Sequence, residues 1–302
     1  MKKFIGSSRK IMNNENVVGF MFVLPSLICL LFLCILPIVL SLIISFTDWN
    51  IVSGFKSLNF IGLDNYNSLF KDDTFWTSLK NNIYFTLMTI PLKLILGFFI
   101  AVTISKLCYF KNMFKIIYFL PYISSTVAIA TVWMVLFQPS YGPINEALRA
   151  IGISNPPMWL GDMKWALPSI AVMYVWQTLG YIIIIYIAGI QAIPTELYES
   201  ADMDGGGWFM KIKSIIIPMV APTTFFLLIT EIMESFRVFD QIKVVTEGGP
   251  GNATSVLVYY LYEVTFRYNK AGYGSTITVM MFIIIFFFTL IQWRSGDKKS
   301  QI

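Results

Sequence analysis

Residues 191–207 read QAIPTELYESADMDGGG, a polar island between two long apolar runs. Pro194 and Thr195 suit a helix start, and Glu196 and Glu199 follow where the positive end of the helix dipole favours carboxylates. Leu197, Tyr198 and Ala201 recur at spacings of three and four, the period of a short amphipathic helix. Gly205, Gly206 and Gly207 stop it, because glycine loses the most backbone freedom on ordering. Lys211 and Lys213 then precede the apolar run that opens Ile215-Ile216-Ile217-Pro218. The pattern predicts a docking helix over 195–204, between two membrane spans. An interfacial helix without a partner shares the same pattern. A phosphate cradle does not, since the GxxxxGK[ST] spacing and a preceding strand are both missing.

The rest of the chain explains why this island stands out. Hydrophobic residues fill 56% of 302 positions and charged residues 13%, with mean hydropathy +0.69; soluble domains average about 45–50% and about 25%. Several runs reach the roughly 20 residues that cross a bilayer as helix, and only helices or closed barrels satisfy their own backbone there. The expected fold is therefore all-α, a polytopic bundle of about six transmembrane helices near 17–46, 78–105, 116–137, 166–190, 215–236 and 274–293. It forms one transmembrane domain over 17–293, between an N-terminal segment 1–16 and a tail 294–302. No cleavable signal is evident in the long first run. The net charge of +5 reflects loop bias and carries no implication of nucleic acid. Cys29, Cys34 and Cys108, odd in number and irregular in spacing, give neither a disulfide framework nor a zinc site. A chain without histidine, nucleophile elbow or paired metal ligands offers no catalytic residues and no metal site, which argues against an intramembrane enzyme.

Positive charge sets the orientation. Lys2, Lys3, Arg9 and Lys10 precede the first span; Lys106, Lys111 and Lys115 fill a short turn; Lys211 and Lys213 flank the island; Arg294, Lys298 and Lys299 end the chain. These short basic segments are expected inside, so both termini and the island are cytoplasmic. The loop 47–77, with Asp48, Trp49, Asn50, Asp64, Tyr66, Asp72 and Trp76, and the segments 138–165 and 238–273 are then outside. In 138–165 the prolines and glycines forbid a continuous helix, though one or two turns fit 146–151.

Ionisable residues within spans are costly, about 2.5–3.5 kcal/mol at the helix centre, and so face a partner or a cavity. Lys93, Glu231 and Glu234 qualify, with Arg237 at the end of its span. Glu234 and Arg237, three apart, can neutralise each other, which leaves Lys93 and Glu231 as the expected buried charge pair.

Glu199-Ser200-Ala201, three residues, Gly205, nine residues and Ile215-Ile216-Ile217-Pro218 together resemble the Glu-Ala-Ala (EAA) signature of permease subunits of ATP-binding-cassette importers. Ser200 and Ile217 are its departures, one small and one isosteric. Leu24-Pro25-Ser26, Tyr141-Gly142-Pro143-Ile144-Asn145 and Thr246-Glu247-Gly248-Gly249-Pro250 extend the likeness over nearly the whole chain, to the carbohydrate-uptake branch and its larger maltose-type permease. The resemblance implies an ATP-driven sugar or oligosaccharide permease in a bacterial-type plasma membrane. Its partners would be a second, similar permease, two ATPase subunits and an extracytoplasmic solute-binding protein. This chain would hold no cofactor, with ATP and Mg in the ATPases. Coupling would fall to Glu196, Glu199, Ser200, Ala201, Asp204 and Gly205, and substrate contacts to Tyr174, Gln177, Thr178, Tyr181, Glu231, Glu234, Ser235 and Val238. Alternatives are a permease for a sugar phosphate or acidic sugar, and a secondary transporter driven by an ion gradient.

Overall fold

The structure, a computed structural model, describes residues 15–54, 58–106 and 108–297. Lys2, Lys3, Arg9, Lys10, Lys298 and Lys299 lie outside the described residues. By internal contacts the chain forms two compact units, residues 1–69 with 264–280 and residues 70–263 with 281–302.

In the first unit, α1 (Glu15–Leu30) runs through a wide turn, Leu31–Ile35, into α2 (Leu36–Ile44). Pro37 has no N–H for the carbonyl of Leu33, and one turn earlier the backbone loosens so that Leu36 N–H reaches the carbonyl of Leu31. The apolar stretch Gly19–Ile44 has mean hydropathy 3.3 and none of its most apolar window is buried. The segment that follows is ordered by polar side chains. Asn65 Nδ2 donates to the carbonyls of Ser45 (3.0 Å) and Thr47 (2.8 Å), Tyr66 meets the Ser45 hydroxyl at 2.8 Å, and Thr276 Oγ1 donates to the Ser45 carbonyl at 3.0 Å. Asp48 accepts from the Asn59 backbone and amide, which holds its carboxyl below the usual range. The stretch expected as loop therefore contains α3 (Asp64–Phe70) and ends early, where the next helix begins at Asp73.

The second unit is built on α8 (Ala166–Gln191). It packs against α4 (Asp73–Lys106), α5 (Lys111–Ile123), α6 (Thr126–Leu136) and α12 (Ala221–Phe236). Two apolar clusters line its length. One gathers Phe85, Met173, Tyr174, Ile242 and Tyr259; the other gathers Ala101, Ile183, Tyr186, Ile216 and Leu227. At Gly180 a Cβ would stand 2.0 Å from the carbonyl oxygen of Tyr118, so α5 and α8 meet backbone to backbone there. Only glycine permits that approach, which in a membrane substitutes close packing for the missing hydrophobic drive.

Among the described residues four helices are long and apolar enough to cross a membrane: Gly19–Ile44, Asp73–Lys106, Ala166–Gln191 and Ala271–Gln292. The count reaches six when two bent pairs are each taken as one span. The continuous helix expected over 116–137 is one of these, broken by 95° between α5 and α6. Pro121 removes a donor in the last turn of α5, and Ser124 is extended. The run expected over 215–236 starts earlier, as α10 (Trp208–Lys211), a wide turn Ile212–Ile216 and α11 (Ile217–Met219), and bends 59° into α12 at Val220, between Pro218 and Pro222. The last helix, α15 (Ala271–Asp297), continues past the expected end at 293. Between these lie α7 (Pro143–Ala150), α9 (Thr195–Met203), α13 (Asp240–Val245) and α14 (Leu257–Tyr262). Among the described residues there is no strand, only an isolated bridge from Thr47 to Phe60.

Candidate functional site

A polar cavity of about 220 Å³ opens in the second unit where α8 passes the break between α5 and α6 and the turn after α12. Tyr122 and Thr126 come from either side of that break, Tyr174, Gln177 and Thr178 from α8, and Glu234, Arg237, Val238, Phe239, Asp240 and Gln241 from α12 and α13. Its back is a chain of amides. Gln241 Nε2 donates to Gln177 Oε1 (3.1 Å), and Gln177 Nε2 donates to Thr126 Oγ1 (3.1 Å). Both glutamines are buried. Each such bond is worth about 1 kcal/mol net, and breaking one strands a buried polar group at about 1–3 kcal/mol, so the chain fixes three elements to one another. Aromatic rings form the sides: Tyr122 stacks on Tyr181 with centroids 5.4 Å apart and planes 22° apart. Rings with hydroxyl, amide and carboxylate groups suit a polyhydroxylated ligand.

Behind Tyr174 is the buried charge. Lys93 Nζ on α4 bonds the Glu231 carboxylate on α12, and the two side chains are 1% and 4% exposed. The ammonium also lies 4.6 Å from the centre of the Tyr174 ring. One face of Tyr174 thus serves the ion pair, while the residue also lines the cavity. In an apolar setting a cation over a ring contributes about 2 kcal/mol, which helps offset the desolvation of the pair. Glu234 takes Arg237 at 3.2 Å, an exposed pair on one helix face.

The second candidate region is α9 and its cap. Gly205 N–H bonds the Asp202 carbonyl (3.1 Å) and Gly206 N–H bonds the Ala201 carbonyl (2.7 Å), while Gly205 has φ +71°. That is a Schellman cap, and its left-handed residue is the reason for glycine at 205. Asp204 is the capping residue, so the helix expected over 195–204 ends at Met203. Glu196, Glu199, Ser200 and Asp204 are exposed and Ala201 is half-buried. Asp202 pairs with Lys211, tying α9 to α10. On the inner face, the Tyr198 ring lies under Lys106 Nζ at 3.7 Å, joining α9 to the end of α4. Among the described residues its buried hydroxyl has no hydrogen-bond partner, and burial raises the phenol pKa.

Of the residues expected to contact substrate, Tyr174, Gln177, Thr178, Glu234 and Val238 line the cavity. Glu231 stands behind it in the ion pair, and Tyr181 reaches it through Tyr122. Ser235 does not line it: its hydroxyl meets Thr86 at 2.8 Å and its carbonyl accepts from Asn82 Nδ2 at 3.2 Å, so it joins α12 to α4. Sequence reasoning missed Tyr122, Thr126, Phe239, Asp240 and Gln241. The first two were hidden in an assumed continuous span, although Pro121 and Ser124-Ser125 mark its break.

Residues 73–296 match the family model described as binding-protein-dependent transport system inner membrane component. A probable ABC transporter permease protein of Pyrococcus horikoshii is 35% identical over 92% of this chain and 96% of its own. The trehalose/maltose transport system permease protein MalF of Thermococcus litoralis is 32% identical, covering 95% of this chain and 96% of its own. Among solved structures, a chain of a bacterial alginate ABC transporter, in complex with its alginate pentasaccharide-bound periplasmic protein, superposes with TM-score 0.81 at 22% identity, covering 94% of each. That last likeness concerns the fold.

Proposed function

The chain belongs to the binding-protein-dependent transport system inner membrane components, the permeases of ABC importers, and from that membership we propose that it moves a sugar or oligosaccharide inward on ATP hydrolysed by separate subunits. The carbohydrate reading is supported by the relative named as a trehalose/maltose permease and by a cavity lined with tyrosine rings and amides. A second, similar permease completes the pathway, and the outer segment 238–273 meets the solute-binding protein that delivers substrate. In this topology both termini and α9 are cytoplasmic.

One observation carries the coupling: α9 is short, begins after Pro194, is closed at its C-terminal end by the Schellman cap, and exposes Glu196, Glu199, Ser200 and Asp204. A helix so bounded moves as a unit when an ATPase cleft closes on it. Tyr198 under Lys106 passes that motion to α4, and α4 bears Lys93, whose ammonium lies behind the cavity's Tyr174. Rocking of packed helices between inward-open and outward-open arrangements follows from such a push. The test is a Ser200→Cys variant in the assembled complex, treated with a short thiol cross-linker. Capture of the ATPase subunit, changed by nucleotide, is expected. A fully active complex in which Ser200→Cys reaches only lipid or water would refute the docking.

A further inference from the structure

The cavity's charges have a definite balance. Two carboxylates, Glu234 and Asp240, face one guanidinium, Arg237, among its lining residues. Glu234 already holds Arg237 at 3.2 Å, with their side chains 56% and 71% exposed. Among the described residues Asp240 makes no ion pair and is exposed. The neighbouring cations are committed elsewhere: Lys93 to Glu231 and the Tyr174 ring, Lys243 to Glu247 (3.7 Å) and the Tyr262 ring (5.2 Å). The remaining polar groups, Tyr122, Thr126, Tyr174, Gln177, Thr178 and Gln241, are neutral hydroxyls and amides.

We propose that this cavity selects uncharged carbohydrates against acidic ones, with Glu234 and Asp240 acting as the specificity-determining groups. The inference rests on the carbohydrate reading above and adds the charge class of the substrate. A neutral sugar presents hydroxyl donors to both carboxylates, and carboxylate-accepted hydrogen bonds are the stronger kind. A uronate brings a third carboxylate to a space with one guanidinium already shared. The anion must then either remain unpaired beside Asp240 or displace Glu234 from Arg237 and leave Glu234 unpaired. Like-charge juxtaposition of this sort is how sites reject the wrong ligand.

The test uses the assembled complex in nanodiscs without its binding protein, so that the delivery protein's own selectivity does not enter. Saturation-transfer NMR compares maltotriose, galactotriose and arabinotriose with trigalacturonate, and the readout is the ratio of acidic to neutral affinity. The wild type is expected to bind a neutral trisaccharide at least about tenfold more tightly than trigalacturonate, about 1.4 kcal/mol. Glu234→Gln with Asp240→Asn, which frees Arg237, shifts that ratio toward the acid by about tenfold or more, and Arg237→Gln shifts it the other way. A purely structural role would not move the ratio in opposite directions. Trigalacturonate bound as tightly as the neutral probes, or a ratio unmoved by these variants, overturns the inference and leaves the carbohydrate reading standing. A folded complex that binds none of the four removes both.

Discussion

Lys93→Met leaves Glu231, 3% exposed, as a carboxylate without its counter-ion and the Tyr174 ring without its cation. Breaking a buried pair from one side costs about 3–5 kcal/mol, while replacing both charges by neutral groups of similar volume is often near neutral. Lys93→Met alone and Glu231→Gln alone are each expected in the 3–5 kcal/mol range, and the double variant well below their sum. For the double variant to be more stable than either single one, the coupling energy must exceed one single cost, about 3–5 kcal/mol, at or above the usual range for residues in contact. SDS titration of the purified complex reads these stabilities, and uptake by the same preparations reads function. The double variant should recover assembly better than either single one. Because Tyr174 lies between the pair and the cavity, uptake should recover less completely than stability. Two single effects that simply add, with no rescue in the double variant, would refute the pairing and with it the idea that this charge pair sets the cavity wall.

Gly205→Ala meets no atom within 4 Å, so its cost is the left-handed backbone alone, about 1–2 kcal/mol; transport-coupled ATP hydrolysis should fall, with Gly205→Asn retaining more than Gly205→Ala. Removing the unpartnered hydroxyl by Tyr198→Phe should leave coupling intact and stability equal or higher, whereas Tyr198→Ala should uncouple ATP hydrolysis from uptake. Gly180→Ala drives a methyl into the Tyr118 carbonyl and should lower the yield of assembled complex; normal yield would mean that α5 can move away from α8 without penalty. Asn252→Cys should react with a membrane-impermeant maleimide added from outside, and reaction only from the cytoplasmic side would invert the topology.

How much of this was legible in the sequence depended on the kind of signal. Long apolar runs and the Thr195–Gly207 island report on local structure, and the helices Ala166–Gln191 and Thr195–Met203 follow them within a residue. The cost of a charge in hydrocarbon is also local, so Lys93 and Glu231 announced that each needed a partner 138 residues away. What stayed hidden was backbone geometry inside hydrophobic stretches. Nothing in the hydropathy of 116–137 distinguishes a straight helix from two helices at 95°, yet that bend brings Tyr122 and Thr126 to the cavity. Ser235 lies outside the cavity lining for a related reason. One residue along a helix turns the side chain by about 100°, so Glu234 faces the cavity while Ser235 points into the interface with α4.

The most direct measurement is uptake by proteoliposomes that contain this chain with the proposed partner permease and ATPase subunits and, outside, the proposed solute-binding protein. The account predicts inward movement of a labelled neutral oligosaccharide only when ATP is enclosed and the binding protein is present, unaffected by proton or sodium ionophores and lost with Glu199→Ala. Accumulation driven by an imposed ion gradient without ATP would contradict it.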